Sequence, residues 1–123
     1  MGTRKHLVAD VFNTTKIYQM YILQTLTTEK TIYGRQLYLH FVDTFKHLGF
    51  PTSFSTIYNT FHRMEEDGLI TSTWGHPKTK NKRYYKITNE GLRYHKMHYS
   101  KFVDDLHKQK ALISKLTKTF TVK

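Results

Sequence analysis

The sequence predicts a mainly helical α+β fold, in which three helices and a two-stranded hairpin precede one long C-terminal helix. Three observations predict it. Apolar residues recur at helical spacing in three blocks before residue 67. Two short alternating stretches follow, and the segment that holds them has no carboxylate between Asp67 and Glu90, while Lys78, Lys80, Lys82, Arg83 and Lys86 crowd its second half. From Leu92 an apolar or aromatic side chain then returns at every seventh position as far as Phe120. A helix followed by a basic hairpin is the layout of a winged helix-turn-helix. The chain therefore divides into a flexible basic arm (1–13), the winged domain (14–88) and a C-terminal dimerisation helix (89–123).

The arm carries Arg4 and Lys5 and little periodicity. From Thr14 or Thr15 a first helix is predicted, with Ile17, Met20, Tyr21, Ile22 and Leu23 making it broadly apolar and central. Thr27 to Lys30 break the pattern. Ile32, Tyr33, Leu37, Phe41, Phe45 and Leu48 then set a second helix running up to Gly49, with Gly34 near its start as a point of close packing or a change of direction. Pro51 enforces a turn, and Ser53 or Ser55 caps a third helix whose apolar members are Phe54, Ile57, Phe61 and Met64. Gly68 stops it.

Leu69 to Trp74 alternates, with Ile70 and Trp74 on one side, and Arg83 to Thr88 alternates through Tyr85 and Ile87. The polar run from Gly75 to Asn81 makes the wing tip. Thr88 caps the last helix, predicted to run to about Phe120. Leu92, Tyr99, Leu106, Ile113 and Phe120 form one seam position, and Phe102 and Leu116 join His95 and Gln109 at the other. Such a stripe exceeds what one small domain can cover, so a homodimer is expected.

Composition narrows the partners. Twenty basic against nine acidic side chains give a formal charge of +11 over 123 residues, a field that attracts polyanions. The chain has no cysteine, hence no disulfide, thiolate nucleophile or cysteine-ligated zinc, which is compatible with a reducing interior. It has no apolar run of membrane-spanning length and no secretory leader pattern at Met1, so a cytoplasmic, nucleoid-associated protein with no membrane partner is expected.

The third helix carries the chemistry. Ser53, Ser55, Thr56, Asn59, His62 and Arg63 are short or forked donors and acceptors able to reach base edges in a major groove, and Glu and Lys are absent from Ser53 through Met64. An ordinary solvated face is the alternative. Tyr58 on its flank either binds a phosphate or covers the core with its hydroxyl wet. Lys78, Lys80, Lys82 and Arg83 suit phosphates beside that groove, with Arg4 and Lys5 as an extension of the footprint. His62 is read as a base or phosphate contact rather than a metal ligand.

Other chemistries find little support. His95 with His98, and His40 with His47, supply two ligands each, and two ligands do not close a metal site. The only tight acidic set, Glu65, Glu66 and Asp67, lies at a helix end, and no phosphate loop, nucleophile elbow or carboxylate pair is visible. Neither an enzyme nor a cofactor is expected.

The runs Ile32-Tyr33-Gly34-Arg35-Gln36-Leu37, Thr56-Ile57-Tyr58, Glu65-Glu66-Asp67-Gly68-Leu69-Ile70, Arg83-Tyr84-Tyr85-Lys86-Ile87-Thr88 and Gly91 resemble PadR-type transcriptional regulators. That resemblance implies a tyrosine-glycine pair opening the second helix, a third helix in the major groove and a dimerising C-terminal helix. The run Phe45-Lys46-His47-Leu48-Gly49-Phe50, with Tyr58, His62 and Asp67-Gly68-Leu69, is also similar to the bacterial replication terminator protein, a small winged-helix dimer. It departs from that group in a shorter wing built around Gly75-His76-Pro77 and at Thr56 and Asn59. The expectation is a homodimer that binds specific double-stranded DNA and acts as a transcriptional repressor by occupying its site. Polar fork arrest, plasmid or phage segregation by higher-order assembly on arrayed DNA sites, and a protein-interaction domain that lost DNA remain alternatives.

Overall fold

The computed structural model describes residues 13–75 and 82–121. Lys78 and Lys80 of the expected wing, and Arg4 and Lys5 of the expected arm, lie outside the described residues. Helix α1 spans Thr14–Glu29 and is capped by Asn13, whose side chain accepts from the Lys16 backbone N–H at 2.9 Å. Tyr18, Met20, Ile22, Leu23 and Leu26 are all buried, so α1 is the central helix that its breadth of apolar residues predicts.

Ile32 and Tyr33 correct the sequence reading. They form a short strand β1 (Ile32–Tyr33), not the start of the second helix. Ile32 pairs with Tyr85 and Tyr33 with Tyr84, on the edge of a third strand that would otherwise be unpaired. Two residues are too few to show alternation, and both happen to fall on the helical stripe that follows. Helix α2 begins at Gly34 and ends at Phe45 (Gly34–Phe45), sooner than predicted, and a single 3-10 turn (Lys46–Leu48) completes the segment. Leu48 is consequently 78% exposed and outside the core. At Gly34 a Cβ would sit 2.8 Å from the Tyr58 hydroxyl oxygen, which is the close packing expected there.

Tyr18 donates from its hydroxyl to the Pro51 carbonyl at 2.7 Å and pins the turn between helices to α1. Helix α3 (Phe54–Glu66) is capped by Ser53, which accepts from the Thr56 N–H at 3.3 Å. Its far end closes as a Schellman motif. Gly68 at φ 78° lets its N–H reach the Glu65 carbonyl (3.0 Å) and lets the Leu69 N–H reach that of Met64 (2.9 Å). Ile57, Phe61 and Met64 are buried, whereas Phe54 is 44% exposed, a rim residue packed on Tyr38 and Tyr58.

Strands β2 (Ile70–Trp74) and β3 (Arg83–Ile87) are antiparallel, with Ile70 opposite Ile87 and Trp74 opposite Arg83. The sheet order is β1-β3-β2. Trp74 shares the face of Ile70, as alternation requires, yet it runs past the core and is 61% exposed. Tyr85 stacks on Phe61 with ring centres 4.3 Å apart and welds the sheet to α3.

Helix α4 (Asn89–Phe120) runs the expected length from a Thr88 cap. Tyr94 and Phe102 pack on the core, and His95 shares a 2.9 Å hydrogen bond with Gln24 of α1. Every residue from 110 to 120 is exposed. No helix of the described residues is long and apolar enough to cross a membrane.

Candidate nucleic-acid interface

Helix α3 turns four different rows outward or inward. Ile57, Thr60, Phe61 and Met64 face the core, so Ser55, Asn59, His62 and Glu66 occupy the centre of the opposite face at spacings of three and four. Thr56 and Arg63 form one flank. Tyr58 and Glu65 form the other, toward the hairpin. Ser53, Ser55, Thr56, Asn59, His62 and Arg63 are all exposed, as their expected role requires. The Ser53 and Ser55 hydroxyls lie 3.1 Å apart at the cap.

One feature differs from the sequence reading of this helix. Glu66 lies on the central row, with its carboxylate 3.4 Å from His62 Nε2, so the face is not wholly free of negative charge. The pair is largely exposed and contributes little to stability. Tyr58 is half-buried between Phe54 and Phe61, and burial raises its hydroxyl above the ordinary tyrosine range. It borders the face, on the flank where the sequence reading set it.

The hairpin is fastened to α3 by a polar clamp. Ser72 donates to Glu65 Oε2 at 2.6 Å and accepts from Arg83 Nε at 2.9 Å, while Arg83 Nη2 reaches Glu65 Oε1 at 3.4 Å. The Arg83 guanidinium also lies 5.4 Å from the Trp74 ring centre. Arg83, assigned by sequence to gripping a backbone, is thus partly committed within the chain, with 42% of its side chain still exposed. Lys82 sits 4.7 Å over the Tyr33 ring, which itself lies 5.8 Å from Tyr84. Cross-strand register creates both arrangements, and sequence spacing carries no signal for them.

A second surface carries an apolar stripe. Leu92, Tyr99, Leu106, Ile113, Leu116 and Phe120 are exposed along α4, and Phe102 is half-buried against the core. Tyr99, Phe102, Val103 and Leu106 border a groove of about 420 Å³ whose opposite wall is Ile17, Met20, Tyr21, Phe45 and Phe50. Among the described residues, no three histidine, aspartate or glutamate side chains gather as a metal-binding group.

This arrangement has known counterparts. The chain is 25% identical to a transcriptional regulator from Clostridium thermocellum, with a TM-score of 0.62 over 89% of this chain and 99% of that one. A PadR family transcription regulator from Clostridium difficile (22% identity, TM-score 0.57, 85% and 98% covered) has the same fold. So does one from Eggerthella lenta (22%, 0.56, 95% and 94%). No curated protein matches the chain. Residues 22–97, more than half of the chain, match the model of the transcriptional regulator PadR-like family. The match supports the first of the two resemblances and lends none to the replication terminator. With a three-stranded winged sheet, a capped polar α3 and a long C-terminal helix already in place, the chain belongs to the transcriptional regulator PadR-like family.

Proposed function

We propose that the protein is a homodimeric, sequence-specific double-stranded DNA-binding regulator that acts by occupying its site, most directly as a repressor. The observation that carries this reading is the outer face of α3. Hydrogen-bonding side chains stand exposed on it, while Ile57, Phe61 and Met64 and the Glu65–Ser72–Arg83 clamp hold the helix rigidly beneath. Ser55, Asn59 and His62 meet base edges, and Lys82 with the neighbouring wing lysines meets phosphates. A second copy covers the apolar stripe and groove of α4, setting two recognition helices about a two-fold axis. The protein works on the nucleoid, and its effect comes from excluding other proteins rather than from chemistry.

Titration of a labelled duplex carrying the protein's selected site, at a series of salt concentrations, tests the proposal. Affinity should fall steeply with salt, since each phosphate contact contributes a slope of about −0.9 in log K against log salt. Binding that ignores salt, or no binding, refutes it.

A further inference from the structure

A second polar surface adjoins the one already described. Thr15 and Gln19, one turn apart on α1, face Thr56, Asn59, Thr60 and Arg63 of α3 across a cleft of about 160 Å³. We propose that this cleft seats a backbone phosphate of bound DNA, held by Arg63 with Gln19 and Thr15. The inference rests on the DNA-binding reading and extends it to a helix outside the helix-turn-helix.

The lining supports an anion. All six side chains can hydrogen-bond, one is a permanent cation and none is a carboxylate. Among the described residues, the side chains of Gln19, Asn59 and Arg63 make no hydrogen bond within the chain, so their donors are available. Thr60, by contrast, is spent on the Thr56 carbonyl at 2.8 Å. The volume falls below the roughly 300–1,000 Å³ of small-molecule pockets, which argues for one group of a larger ligand rather than an effector.

Position points the same way. The hairpin abuts the Tyr58–Glu65 flank of α3 through Tyr85 on Phe61 and Ser72 on Glu65, so the Thr56–Arg63 flank is the opposite one. Helix α1 borders it. Lys16 faces elsewhere, donating to the Tyr94 hydroxyl of α4 at 2.8 Å, and so α1 presents Thr15 and Gln19 to the recognition helix and Lys16 to the C-terminal helix. A helix lying in a groove has a sugar-phosphate strand along each flank. The wing meets one strand and the α1 cleft meets the other. Arg63 is thereby assigned to backbone, in place of the base contact expected from sequence.

Charge reversal at one neutral position tests this in the full-length protein. Gln19→Glu should weaken binding to the selected duplex and to random duplex alike, by about tenfold, and Gln19→Lys should tighten both and steepen the log–log salt slope by about 0.9. The same exchanges at Thr28, exposed at the far end of α1, control for net charge and should change affinity far less. Ethylation interference should lose one protected phosphate per half-site in Gln19→Ala. Wild-type binding by both Gln19 variants, or Gln19 effects no larger than those at Thr28, overturns the cleft while leaving the DNA reading standing. Failure of the unaltered protein to bind duplex overturns both.

Discussion

Replacing Gly91 by alanine tests how the C-terminal helix is seated. Gly91 lies in the first turn of α4 against the backbone of Leu69, and an added Cβ would overlap the Leu69 carbonyl oxygen and fall 2.7 Å from Ile87 Cγ1. Carbon atoms pack at about 3.5–4.0 Å, so the helix start must retreat by roughly 1 Å. The retreat pulls on three hydrogen bonds at the junction. Thr88 Oγ1 donates to the Gly68 carbonyl at 2.6 Å, the Thr88 N–H reaches the Leu69 carbonyl at 3.1 Å, and the Gly91 N–H reaches Thr88 Oγ1 at 3.0 Å. Overpacking costs about 1–3 kcal/mol and each weakened bond about 1 kcal/mol, against a gain of about 1 kcal/mol from the better helix former. The net loss is about 3–5 kcal/mol, or a fall in Tm of roughly 12–20 °C for a chain of this size. Thermal unfolding followed by circular dichroism, at one fixed protein concentration, reads it. Thr88→Val, which removes the cap without the clash, should lose less, about 1–2 kcal/mol. A Gly91→Ala protein that melts at or above the wild-type temperature would refute the packing of α4 on the start of β2.

Three further outcomes are expected. Asn59→Ala should cost about 1–3 kcal/mol on the selected site and leave random duplex unaffected; equal loss on both would remove Asn59 from the base-reading row. Leu106→Glu with Ile113→Glu should sediment as a monomer that still gives a folded helical spectrum, and an unchanged dimer would count against the α4 stripe. Tyr18, Tyr58 and Tyr85 are held above the ordinary tyrosine range chiefly by burial, so the unfolded chain loses these protons first as pH rises. Their contribution is therefore complete below about pH 10 and declines above it, and a urea midpoint that does not fall between pH 9 and 11 would contradict the sign.

Sequence made both ends of α3 and the start of α4 legible because a cap or stop residue stands there, Ser53, Gly68 and Thr88. The cap of α1 is Asn13, a residue the sequence reading left in the arm. It made the polar face of α3 legible because a helix of known phase shows which residues oppose its core. The phase had more to say than residue type alone suggests, since it sets Glu66 on the row of Ser55, Asn59 and His62 and moves Arg63 to the flank opposite Tyr58. What stayed hidden depends on contacts between distant residues. Strand β1 exists because β3 offers it an edge, and the Glu65–Ser72–Arg83 clamp exists because register brings Ser72 and Arg83 beneath α3. The α1 cleft was hidden for another reason. Apolar periodicity assigns α1 to the core, and Thr15 and Gln19 acquire meaning only once α3 is seen to lie beside them.

The central claim is that two copies present two α3 helices to one duplex. In vitro selection of bound double-stranded DNA, followed by footprinting, tests it most directly. The expected result is an enriched two-fold symmetric site whose protected half-sites lie about one helical turn, or a multiple of it, apart. Selection that enriches no sequence, or a single asymmetric footprint bound by one copy, would contradict it.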